Sequence, residues 1–93
     1  MEIVKHRYLV TATKKVFKSF NKLPEHVQER LGLLLKQLSL QGPVASNWPN
    51  YSKLGENRYH CHLKFSYVAC WVYEQGSIRI EVYYVGSREN APY

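Results

Sequence analysis

Apolar positions change their period twice along the chain. From Ile3 to Val10 the β-forming residues alternate raggedly with Lys5, His6 and Arg7, which predicts a first strand over residues 3–10. Val16, Phe17, Phe20 and Leu23 then recur at helical spacing behind Thr11 or Thr13, either of which is able to cap a helix. Lys14, Lys15, Lys18 and Lys22 fill the rest of that helix and read as its solvated face. Pro24 fits the first turn of a second helix, whose apolar positions are Val27, Leu31, Leu34, Leu35 and Leu38, and Gly42-Pro43 stops it. The break at Leu23-Pro24 makes the two a helical hairpin. Residues 42–57 are a loop rich in Pro, Asn, Ser and Gly, pinned by Trp48, Tyr51 and Leu54.

Period two returns in the last third, as three runs rich in β-branched and aromatic residues: Arg58 to Lys64, Tyr67 to Tyr73 and Ile78 to Val85. A polar tail from Gly86 to Tyr93 follows. Matching apolar with apolar, a tight turn at Phe65-Ser66 pairs Leu63 with Val68, Cys61 with Cys70 and His60 with Trp71. A three-residue loop, Glu74-Gln75-Gly76, then pairs Val72 with Ile78, Cys70 with Ile80, Val68 with Val82 and Trp71 with Arg79. In this register Cys61, Leu63, Val68, Cys70 and Val72 form a greasy face that the helices must cover. His60, His62, Lys64, Tyr67, Trp71, Tyr73, Arg79, Glu81 and Tyr83 form an open one. The expected fold is α+β: strand, two-helix hairpin, then a three-strand antiparallel meander, with the helices on one sheet face. At 93 residues the chain reads as a single domain over 1–93.

Composition adds a partner class. The formal net charge is +6 and all seven acidic residues are Glu, so a polyanion, either nucleic acid or an acidic protein, is the expected partner. No signal-peptide pattern and no membrane-spanning run is present, which predicts a cytoplasmic protein without a membrane partner. Cys61 and Cys70 are expected as buried free thiols.

The chemistry of the open face follows from what it holds. Glu81 is its one carboxylate in mid-strand, too few for a two-metal nuclease, and His60-x-His62 lacks an evident third ligand, so no metal and no cofactor is expected. RNA can instead be cut by its own 2′-hydroxyl, given a base, a cation for the pentacovalent phosphorane and an acid for the departing 5′-oxygen. His60, His62, Arg88 and Tyr93 are the catalytic candidates. Lys53, Lys64, Tyr67, Trp71 and Arg79 are candidates for holding the strand, the aromatics by stacking on a splayed base. Trp71 opposite Arg79 also has a plain structural reading, a cation–π pair.

Several segments resemble the RelE/ParE superfamily of bacterial toxins: Phe20-Asn21-Lys22-Leu23-Pro24 before Val27-Gln28-Glu29-Arg30-Leu31, then Tyr84-Val85-Gly86-Ser87-Arg88-Glu89 with Tyr93 close behind. His60-Cys61-His62-Leu63 resembles the YafQ branch. The resemblance spans nearly the whole chain and lies in the order of short motifs. It implies a type II toxin, an mRNA interferase that cuts the codon in the ribosomal A site by 2′-hydroxyl attack and is neutralised by a cognate antitoxin. By position, Arg88 matches the family's arginine after the last strand, and Tyr93 lies within about a residue of its C-terminal catalytic aromatic. His60 and His62 fall where RelE proteins place two lysines; which is base and which is acid stays open. The chain departs from the pattern in three places. The middle strand of the meander, Tyr67-Val68-Ala69-Cys70-Trp71, has no arginine, Ser66 replaces an acidic residue, and no C-terminal helix follows. A ParE-like inhibitor of DNA gyrase and an inactive antitoxin- or DNA-binding module are the alternatives.

Overall fold

The structure, a computed structural model, describes residues 1–93. Six strands form one sheet: β1 (Glu2–Lys5), β2 (Leu9–Ala12), β3 (Ser52–Lys53), β4 (Arg58–Lys64), β5 (Tyr67–Tyr73) and β6 (Arg79–Ser87), in the order β1-β2-β6-β5-β4-β3. Helices α1 (Lys14–Ser19) and α2 (Glu25–Gln41), joined by the 3-10 turn Phe20–Lys22, connect β2 to β3 and pack on one sheet face. β2 runs parallel to β6, and all other neighbours are antiparallel. This is the expected α+β architecture, with two short strands added.

Local chemistry explains the helix ends. The Thr13 hydroxyl accepts from the Val16 N–H at 3.3 Å, satisfying one of the orphan donors of α1. Gly42 ends α2 at φ 98°, where its N–H donates to the Leu38 carbonyl at 2.9 Å and a Cβ would meet the Tyr8 ring at 3.0 Å.

The ragged alternation of residues 3–10 marks a hairpin, where one strand was expected. The chain turns at His6-Arg7-Tyr8, and that turn is tied to α2: Tyr8 N–H donates to the Ser39 carbonyl at 2.8 Å, and His6 Nδ1 lies 2.8 Å from Ser39 Oγ.

The meander register differs from the expected one. A bulge at Leu63 sets His60 opposite Cys70, His62 opposite Val68, Cys61 opposite Ala69 and Tyr59 opposite Trp71. The Leu63 carbonyl accepts from Arg30 Nε at 3.1 Å, so α2 holds the bulge in place. A second bulge, at Tyr83, puts Trp71 opposite Val82 and Cys70 opposite Tyr84. The β5–β6 loop is longer than three residues. Glu74 N–H bonds the Arg79 carbonyl at 2.9 Å, and the Ser77 hydroxyl bridges Glu74 O and Arg79 N at 2.7 and 3.0 Å.

A one-residue slip exchanges the faces of a strand, and here it does so for β5. Ala69 and Trp71 face the helices; Val68, Cys70 and Val72 face away. Trp71 is fully buried, 6.1 Å from Tyr59 in a stacked pair and 6.5 Å from Tyr51, with its indole N–H donating to the Pro43 carbonyl at 2.9 Å. The two cysteines are free thiols as expected, but they lie on opposite faces and are not a cross-strand pair. Burial pushes the Cys61 and Cys70 thiols up to about 12 and about 11, which leaves both protonated and unreactive at neutral pH. No helix is long and apolar enough to cross a membrane.

Candidate active site

On the face away from the helices, register arranges the side chains in rows across the sheet. Arg58 stands beside Val72 and Glu81 in the first row. Ser52, His60, Cys70 and Tyr84 make the second, and His62, Val68 and Gly86 the third. Val68 and Cys70 are fully buried and form an apolar floor. Beyond the third row the chain leaves β6 into the 3-10 turn Arg88–Asn90, anchored by the Arg88 N–H donating to the Ser66 carbonyl at 2.6 Å.

The last residues fold back over this floor. The Tyr93 ring centroid lies 4.5 Å from that of His60, at 52°. His62 is next, 6.0 Å from His60 edge to face. His60 is 8 % exposed, and its Nδ1 lies 2.9 Å from Ser52 Oγ. If Nδ1 carries the proton, it donates to Ser52 and leaves Nε2 a free base; if Ser52 donates, Nε2 holds the proton. Burial lowers the His60 pKa and the neighbouring His62 lowers it further, against the opposing hydrogen bond that the ring donates to the Ser52 backbone, so the ring is neutral at pH 7. Desolvation raises the Tyr93 phenol, which keeps the hydroxyl protonated at neutral pH, while the Arg88 charge works the other way.

Gly86 has a mechanical reason to be there. The Tyr84 hydroxyl donates to the Ser87 carbonyl at 2.7 Å, and to do so it passes over Gly86, where a Cβ would stand 2.8 Å from that oxygen. The clamp orients the backbone immediately before Arg88.

Of the residues expected at the site, the structure brings together the rings of His60, His62 and Tyr93, and Arg88 begins the turn just beyond the third row. It separates the five others. Trp71 lies in the core, and its partners are Tyr59 and Tyr51, not Arg79. Tyr67 is half-buried against the same core, because it shares the helix side with Ala69 and Trp71. Lys64 pairs with Tyr67 and turns its Nζ over the Phe65 ring at 5.6 Å. Lys53 pairs with Tyr59 and sits 5.9 Å over that ring, on the side opposite Ser52. Arg79 begins β6, five residues or about 16 Å from Tyr84. Sequence reasoning missed Arg58, Tyr84 and Ser52. Arg58 shares the parity of His60 and His62, so alternation alone was enough to find it; the other two needed the true register and the short strand β3.

Neither a protein-family model nor a curated protein matches the chain's sequence. Solved structures do match it. The RelE–RelB complex from Pyrococcus horikoshii OT3 aligns at TM-score 0.73 and 17 % identity, over 92 % of this chain and 100 % of that one. The isolated E. coli RelE toxin aligns at TM-score 0.71 and 20 % identity, over 91 % and 88 %. The YoeB–YefM complex from Staphylococcus aureus aligns at TM-score 0.66 and 13 % identity, over 86 % and 95 %. The architecture that the sequence motifs implied is therefore the one observed: this chain has the RelE-like toxin fold.

Proposed function

We propose that this protein is the toxin of a type II toxin–antitoxin pair and acts as a ribosome-dependent mRNA endoribonuclease. The observation that carries the proposal is the clustering of the His60, His62 and Tyr93 rings on one face of the sheet, with a neutral, buried His60 in ring contact with Tyr93 and Arg88 in the turn that follows β6. The chemistry balances without a co-reactant. A 2′-hydroxyl attacks the adjacent phosphorus and gives its proton to a histidine; the P–O5′ bond breaks, and the 5′-oxygen takes a proton from the other histidine or from Tyr93. The products are a 2′,3′-cyclic phosphate and a 5′-hydroxyl. Each positioned acid or base contributes about 10²–10⁴ in rate. Arg88 supplies a planar fork to the charge developing on the phosphorane, a role for which loss of a single donor costs about 10²–10³.

The partner reading rests on the same likeness, since matched structures include RelE with RelB and YoeB with YefM. A cognate antitoxin is the proposed protein partner, with ribosome and mRNA as the target, and the charge of +6 suits both. Primer extension on a translated mRNA with purified ribosomes tests the proposal. Wild-type protein should cut within codons only when ribosomes are present, and Arg88→Ala should abolish the cuts while melting at the wild-type temperature. A folded, toxic wild type that cuts nothing overturns the nuclease reading in favour of gyrase inhibition; a folded protein with neither cuts nor toxicity leaves a binding module.

A further inference from the structure

β5, where the resemblance leads one to expect a further arginine, directs only Val68, Cys70 and Val72 away from the helices. The neighbouring strand opens with a guanidinium that the chemistry above does not use. Arg58 lies two residues before His60, hence on the same side of the sheet. It is exposed, and its Cζ lies 5.2 Å from the centroid of the Tyr83 ring. Tyr83 is available there because the β6 bulge leaves it without a partner on β5. The Tyr83 ring, and the Tyr83 hydroxyl on which Arg58 also acts, restrain the guanidinium, and its exposure leaves its remaining N–H groups for an oxyanion.

The spacing gives this fork a target. Residues two apart on a strand are separated by about 7 Å, so Arg58, His60 and His62 form rungs of that step, and Arg88 follows beyond His62. Successive phosphates of an extended single strand are separated by a similar distance. An RNA strand whose scissile phosphate lies among His60, His62 and Arg88 therefore carries its neighbouring phosphate over Arg58. We infer that Arg58, laid against Tyr83, is a substrate-binding residue that holds the phosphate next to the scissile one, so that β4 provides the second arginine that β5 lacks. This rests on the nuclease reading and deepens it: the substrate is an extended single strand gripped at two successive phosphates.

The test uses ribosomes programmed with an mRNA whose A-site codon is 2′-O-methylated, which permits binding and blocks 2′-hydroxyl attack. Affinity is measured across a salt series for wild type, Arg58→Gln, Arg58→Lys and, as a charge-matched control, Lys5→Gln on the far edge strand. Arg58→Gln should bind about tenfold more weakly with a salt slope reduced by about one, Arg58→Lys should fall between, and Lys5→Gln should match wild type. Equal affinity and slope for Arg58→Gln and Lys5→Gln overturns the inference. Cleavage of the unmodified codon is scored separately. A wild type that binds but does not cut refutes the nuclease reading, while Arg58 is still judged by the binding series. A wild type that does not bind overturns both.

Discussion

The two faces of β5 are built from the same kinds of residue for opposite purposes. Toward the helices it presents Ala69 and Trp71, locked between Tyr59, Tyr51 and the Pro43 carbonyl. Away from them it presents Val68 and Cys70, also fully buried, but on the side that carries the His60, His62 and Tyr93 rings. One side is stabilised by aromatic area and a satisfied indole N–H. The other is an apolar floor beside which burial lowers the His60 pKa and raises that of Tyr93. Burial on the first face stabilises the fold; on the second it shifts the pKa values of His60 and Tyr93, the groups to which the proposed function gives the proton transfers.

The sharpest way to separate the two is to remove one large side chain from each. Trp71→Ala should destabilise the fold by about 3–5 kcal/mol, read by chemical denaturation, because the cavity is enclosed on all sides. A loss below about 1 kcal/mol would contradict the assignment of Trp71 to the core. His60→Gln should instead reduce single-turnover cleavage by about 10²–10⁴ with little change in melting temperature at neutral pH.

The same variant sharpens the contrast through pH. Because the folded His60 holds its proton less tightly than the unfolded one, the unfolded chain binds more protons as pH falls through about 6.5, and the folded state loses stability there. Melting temperature should therefore drop more steeply below that pH in wild type than in His60→Gln. Parallel curves would mean that the ring is not held neutral by its surroundings. The smallest effect is expected at the clamp. Gly86→Ala pushes the Tyr84 hydroxyl off Ser87, moves the backbone before Arg88 and should slow cleavage about ten- to a hundredfold with the fold intact. Unchanged cleavage would show that Arg88 needs no such positioning.

The helices were legible because their signals are local. Thr13, Pro24 and Gly42 sit at the ends, and Val27, Leu31, Leu34 and Leu38 mark one stripe. The grouping of His60 and His62 was legible for the same reason, since parity within one strand needs no partner. Hairpin register was not. β5 is apolar on both faces, so pairing apolar with apolar fits two registers equally well. The observed register carries a bulge at Leu63 whose carbonyl accepts from Arg30 Nε, a contact between residues 33 apart in the chain. Trp71 and Tyr67 were assigned to the wrong face by that single slip, and Ser52 was hidden in a strand of two residues.

Residue order was thus enough for the two helices, the three long strands, the basic charge and the pair of histidines, each of which depends on neighbours within a few positions. The face that each β5 side chain occupies, the return of Tyr93 onto His60 and the stacking of Arg58 on Tyr83 depend on bulges and long-range contacts. Those are set by the packing of α2 and the C-terminal residues against the sheet, where the energy of any one contact depends on every other being in place.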